Sequence, residues 1–192
     1  MSAKAVFLDR DGTLNEDPGY LGDENSVVLL PGVVEALDKL KNKYNFLLIV
    51  VSNQSGIARG LITDSQVQAV NKKISDLLSN HNIKLDAFYY CPSHPEFSSI
   101  EDSKCRKPSP QMIFEAAEKF DVDLSKSYMV GDSHSDVEAG LNAGIKTILL
   151  KTGIGTESIS ILQNQNKFPS FVAENILDAC NFIVNDSSGE NL

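Results

Sequence analysis

Residues 5–13 read AVFLDRDGT. Four apolar residues run directly into Asp9-Arg10-Asp11, and Gly12 allows a sharp chain reversal that a Cβ would hinder. A short, unbroken apolar run of this kind is the signature of a strand buried on both faces, as in a parallel sheet. Similar runs recur at 46–51 (FLLIVV), 87–90 (AFYY), 128–130 (YMV) and 147–150 (TILL). Between them lie stretches with apolar residues at helical spacing: 33–43, 65–80 with Thr63 or Asp64 placed to cap it, 110–120, and 136–143 with Gly144 as its stop. Strand and helix in alternation predict an α/β fold, a doubly wound, Rossmann-like parallel sheet with helices on both faces. Two long connections, 12–30 and 91–108, break that rhythm. In an open α/β sheet they fall at the carboxyl ends of the strands, where ligands bind.

Those same strand ends carry the polar chemistry. Asp9 and Asp11 follow the first run; two carboxylates at this spacing can divide nucleophilic attack from proton transfer. The second run ends in Ser52-Asn53-Gln54, whose hydroxyl and amide groups can hold a phosphoryl oxygen. Arg106-Lys107-Pro108 supplies positive charge ahead of the third helical unit, and the fourth run opens into Gly131-Asp132-Ser133-His134-Ser135-Asp136. Any one of these is an ordinary turn, basic pair or helix cap. Four at successive strand ends point to a site.

Bulk properties restrict the class. With 192 residues, 42% of them hydrophobic, one domain over 1–185 is expected, followed by a polar tail at 186–192. A net charge of −9 disfavours nucleic acid as a partner, because phosphate backbones are repelled. No run approaches the roughly 20 apolar residues of a membrane span, and the N-terminus has no signal-peptide pattern. Three cysteines, Cys91, Cys105 and Cys180, do not suggest a disulfide framework. The cytoplasm is the expected compartment and a monomer the expected state.

The set resembles the haloacid dehalogenase (HAD) superfamily of phosphotransferases, whose pattern DxDxT … S/T … K … GDxxxD is matched across about residues 5–150. FLDRDGTLNEDPGYL (7–21), SNQSGIARG (52–60), CRKPSPQM (105–112) and VGDSHSDVEAG (130–140) further resemble the branch holding heptose bisphosphate phosphatases and the histidinol-phosphatase domain. A minimal cap made of loops is implied. So is Mg²⁺, held by Asp9, the Asp11 main-chain carbonyl and Asp132. The resemblance makes Asp9 the nucleophile and Asp11 the acid–base group. Ser52 and Lys107 would hold the phosphoryl oxygens, and Asp136 would orient Lys107 or support the metal shell. Thr13, Asn15, Asn53, Gln54, Arg59 and Arg106 would bind a phosphorylated sugar, Arg106 gripping a second phosphate with its planar fork.

Many relatives carry a structural zinc before the lysine motif. At the matching positions this chain keeps Cys91 and Cys105 but has Ser93 and Ser103. Zn²⁺ is therefore not expected, even with His94 as a stand-in, and the 91–108 loop is expected either to be ordered by Phe97, Ile100 and its prolines or to be mobile. The rival activities are a histidinol-phosphate phosphatase, another small-molecule phosphatase, a nucleic-acid 3′-phosphatase (disfavoured by charge), and a non-catalytic phosphosugar-binding protein.

Overall fold

In the computed structural model, which describes residues 2–189, β1 (Ala5–Leu8) is fully buried and lies inside a six-stranded parallel sheet. The other strands are β2 (Leu47–Asn53), β3 (Ala87–Cys91), β4 (Tyr128–Gly131), β5 (Lys146–Leu150) and β6 (Phe171–Ala173), in the order β3-β2-β1-β4-β5-β6. All pair in parallel, with Leu8 opposite Val50 of β2 on one side and Val130 of β4 on the other.

The helices are α1 (Val33–Asp38), α2 (Asp64–Ser79), α3 (Gln111–Phe120), α4 (His134–Ala143), α5 (Gly155–Asn164) and α6 (Ile176–Ser188). The period of two along each strand divides the core in half. Val6, Leu8, Leu48, Val50 and Val130 pack with Leu37 of α1, Ile74 of α2 and Ile183 of α6. On the opposite face Phe7, Ile49, Val51 and Met129 meet Met112 and Ile113 of α3 and Ala139 of α4. The doubly wound sheet predicted from the alternation is thus observed.

Several boundaries differ from expectation. The segment predicted as one helix over 33–43 changes after Asp38 to a wider π-type turn over Lys39–Lys43. Thr63, not Asp64, caps α2 through a reciprocal pair with Gln66. The sequence reading did not include β6, α5 or α6: a three-residue strand leaves little periodic signal, and both helices lie past the motif-bearing region. The tail expected from 186 starts inside α6, which continues to Ser188 and is stopped by Gly189 in a left-handed conformation; residues 190–192 lie outside the described residues. Among the described residues no helix is long and apolar enough to cross a membrane.

The expectation about cysteines is overturned. Cys91, at the end of β3, and Cys105 form a disulfide, leaving Cys180 as a free, buried thiol. The pair closes the 91–108 connection across its base. Phe97 and Ile100 do not order this loop, since they are 57% and 89% exposed. Polar turns order it instead. His94 N donates to Ser98 Oγ, Asp102 N to Ser99 Oγ, and Arg106 Nη1 to the Ser93 carbonyl.

Candidate active site

The carboxyl ends of β1, β2 and β4 are neighbours in the sheet, so the polar residues following them converge on one cavity of about 470 Å³. Asp9, Asp11, Ser52, Arg106, Lys107 and Asp132 all line it. Asp9 N donates to the Val130 carbonyl at 2.9 Å, so the nucleophile candidate, one residue past β1, is still tied to the sheet.

Lys107 is buried among acidic groups. Its Nζ lies 2.6 Å from Asp9 Oδ1, 2.6 Å from Asp136 Oδ1 and 2.7 Å from the Val51 carbonyl. Burial alone would lower the ammonium's pKa, but Asp136 and then Asp9 outweigh it and hold it above its ordinary range. With hydrogen bonds to Asp9 and the Val51 carbonyl and an ion pair to Asp136, Lys107 orients the Asp9 carboxylate. Asp136 in turn accepts from Ser133 N at 3.0 Å, which makes it both helix cap and lysine anchor. Ser133 caps α4, and His134 is half-buried at the helix start.

Asp9, Asp132 and Asp136 bring carboxylate oxygens within 4.8 Å of one another, all buried, against the single ammonium. Burial raises the pKa of Asp9, with Lys107 opposing and Asp136 and Asp132 adding to the rise. Burial, then the Asp136 charge, pushes Asp132 up to about 7. A buried surplus of negative charge on hard oxygen donors fits a divalent cation of the Mg²⁺ type. The backbone is shaped for close approach here: Gly12 has φ 79°, and a Cβ on it would fall 2.3 Å from Asp132 Oδ2.

Asp11 is surrounded by donors. Arg10 Nη2 reaches its Oδ2 at 2.8 Å, Gln54 Nε2 the same oxygen at 2.8 Å, and Asn15 Nδ2 its Oδ1 at 2.9 Å. Two residues expected to touch substrate, Asn15 and Gln54, thus hold Asp11, and both are buried. Gln54 also donates to Ser52 Oγ at 2.8 Å. Asn53 spends both ends of its amide on the main chain of Lys107, at 3.0 and 3.1 Å, because β2 ends beside that loop. Thr13 is fully buried and is not among the residues lining the cavity.

Of the substrate-binding candidates, Asn53, Gln54 and Arg106 line the cavity, and Arg106 brings it positive charge. Burial and the nearby Arg59 lower the pKa of its guanidinium. Arg59 is exposed on the rim, with a nitrogen 2.6 Å from His94 Nε2 and its guanidinium over the Phe97 ring. Residues not singled out from sequence include Asp17, Tyr20 and Ser135 in the cavity wall and Arg10 beneath it. Arg10 alone carried a signal, a basic residue between two acidic ones at the end of a buried strand.

Comparison with known proteins agrees with this geometry. A D-glycero-D-manno-heptose-1,7-bisphosphate 7-phosphatase of Chlorobaculum tepidum is 39% identical over 187 residues, covering 93% of this chain and 92% of that protein. The chain belongs to the HAD-like heptose-bisphosphate phosphatase family. A second member, the D-glycero-beta-D-manno-heptose-1,7-bisphosphate 7-phosphatase of Escherichia coli, is 41% identical over 157 residues, covering 79% and 81% of the two chains. The HAD-hydrolase-like profile matches residues 104–179. Among solved structures of this phosphatase family, the D,D-heptose 1,7-bisphosphate phosphatase from B. bronchiseptica, complexed with magnesium and phosphate, superposes with a TM-score of 0.83. It is 30% identical and covers 95% of this chain and 99% of its own. With Cys91 and Cys105 joined, the 91–108 loop offers no free thiolate, and His94 is engaged by Arg59 and by Glu96 N.

Proposed function

We propose that this enzyme removes the 7-phosphate of D-glycero-D-manno-heptose 1,7-bisphosphate, leaving the 1-phosphate. The observation that carries this reading is a cavity lined both by Asp9, Lys107 and Asp132 and by the half-buried Arg106. Arg59 stands near Arg106, and among the described residues neither arginine is paired with a carboxylate. A substrate with a second anionic group suits that lining, and relatives 39% and 41% identical bear the corresponding name.

In the proposed chemistry Asp9 attacks phosphorus in line and the P–O bond to the sugar breaks, giving an aspartyl-phosphate. Asp11 passes a proton to the departing sugar oxygen, then takes one from the water that cleaves the intermediate. Ser52, held by Gln54, offers its hydroxyl to a phosphoryl oxygen, and Lys107 places positive charge beside the attacked group. Mg²⁺, bound by the Asp9 and Asp132 carboxylates and the Asp11 carbonyl, would supply the charge that draws a phosphate dianion into a cluster of carboxylates. Asp136 keeps Lys107 in place. We further propose a cytoplasmic monomer acting on a small sugar phosphate, in keeping with an acidic surface that repels nucleic acid and anionic lipid.

The test is phosphate release with Mg²⁺ from both anomers of heptose 1,7-bisphosphate, histidinol phosphate and fructose 1,6-bisphosphate. A clear preference for a heptose bisphosphate supports the proposal. Preference for histidinol phosphate keeps the chemistry and overturns the substrate.

A further inference from the structure

Arg10 lies between the two key carboxylates in sequence, yet its side chain is 1% exposed. A buried guanidinium is costly unless its donors are satisfied, and here each of its three nitrogens bonds a partner. Nε bonds both Asp11 oxygens at 3.1 Å, and Nη2 bonds Asp11 Oδ2 at 2.8 Å and Gln54 Oε1 at 3.1 Å. Nη1 bonds Asn71 Oδ1, on α2, at 3.0 Å. Among the described residues Asp11 is its one ion-pair partner. Because Gln54 Oε1 accepts from Arg10, the Gln54 amide must turn Nε2 toward Asp11 and Ser52. One side chain thus sets the facing of two groups in the cavity.

We infer that Arg10 is the positioning residue of the proton-transfer step. Its fork fixes the direction in which Asp11 meets the leaving group, and Asn71 anchors that fork from α2. The inference rests on the proposed role of Asp11. Two features separate this task from general support of the fold. The turn after β1 is held by the Arg10 carbonyl, which accepts from Leu14 N at 2.8 Å and Asn15 N at 3.2 Å, bonds that a side-chain change leaves in place. Asp9 is held independently, by Lys107 and the Val130 carbonyl. Loss of the fork therefore displaces Asp11 and spares the nucleophile.

The consequence is selective. Protonation matters for an alkoxide leaving group and little for p-nitrophenolate, which departs without help. Single-turnover release of p-nitrophenol from p-nitrophenyl phosphate and cleavage of heptose 1,7-bisphosphate are compared for Arg10→Lys, Asn71→Ala and Asp11→Asn, with folding checked by circular dichroism. Arg10→Lys keeps the charge but not the fork. The expected loss is about 10²-fold on the sugar phosphate, the usual scale for a misplaced group, with the p-nitrophenol burst little changed. Asn71→Ala shows the same pattern more weakly, and decides the matter alone if Arg10→Lys does not fold. If Asp11→Asn slows both substrates alike, the proposed role of Asp11 fails and this inference with it. If Asp11→Asn is selective while the Arg10 and Asn71 variants slow both substrates equally, or neither, only the positioning role is overturned.

Discussion

Three buried carboxylates facing one ammonium are an electrostatically unfavourable arrangement, and that cost is the signature of its use. Asp9 shows it most directly, since burial and two acidic neighbours oppose its charge while Lys107 alone favours it. Asp9→Asn removes one member of the cluster and leaves Lys107 paired with Asp136. Turnover is expected to fall at least about 10⁴-fold, the scale seen when a nucleophile is lost. The melting temperature in EDTA is expected to hold or rise, and calorimetry beside the activity assay checks both. Asp132 gives a pH prediction. Its folded pKa of about 7 lies above the unfolded value near 4, so the folded chain keeps a proton that the unfolded chain has released. Stability of the metal-free protein therefore declines as pH rises from about 4 to about 7 and levels off above. A bound Mg²⁺ competes with that proton, so its affinity is expected to climb through the same window and flatten above about 7. Calorimetric Mg²⁺ titrations at three pH values test this, and a pH-independent affinity would contradict it.

The elements place these residues through features that differ in how visible they were in the sequence. The strand ends were legible, because β1, β2 and β4 are apolar runs that give way to polar residues, Asp9 just after β1, Ser52 and Asn53 at the end of β2, and Asp132 just after β4. Whether a side chain beyond a strand end reaches the substrate or supports a neighbour was not legible. Asn15, Asn53 and Gln54 all bond to other site residues, an outcome decided by how β2 lies against the β1 turn and the lysine loop. The Cys91–Cys105 bond was hidden for a similar reason, since a separation of 14 residues says nothing of a Cα distance of 5.5 Å. Two substitutions separate placement from chemistry. Thr63→Ala breaks the reciprocal cap of α2, in which Gln66 N donates to Thr63 Oγ1 at 3.2 Å. It should cost about 1 kcal/mol in urea denaturation and leave kcat unchanged, because among the described residues none of α2 lines the cavity and its Asn71–Arg10 bond lies two turns beyond the cap. Gly12→Ala should do the opposite. Its φ of 79° strains any Cβ by about 1–3 kcal/mol, and that atom would press on Asp132. Mg²⁺ affinity and kcat should both fall, the latter by about 10²-fold, as a metal titration with activity would show.

At the scale of the whole molecule, a chain of net charge −9 must bind a substrate of the same sign. An acidic body offers no long-range attraction to a bisphosphate, so capture depends on local positive charge. The loop closed by Cys91 and Cys105 supplies it with two successive residues. Lys107 turns in to Asp9 and Asp136 beside the candidate Mg²⁺ ligands, while Arg106 lines the cavity and braces its guanidinium on the Ser93 carbonyl. The two cations have different partners and should be separable. Arg106→Ala leaves Asp9, Lys107 and Asp132 untouched and removes the fork proposed for the non-transferred phosphate. Since hydrogen bonds to charged groups contribute about 1.5–3 kcal/mol, kcat/KM for heptose 1,7-bisphosphate should fall by roughly 10- to 100-fold. Turnover of p-nitrophenyl phosphate, which has no second phosphate, should stay within about threefold of the wild type, since one ordinary contact at most is at stake. Parallel steady-state measurements on the two substrates decide the point. An equal loss on both would mean that Arg106 serves the transferred phosphoryl group itself, and the substrate would then need only one anionic end.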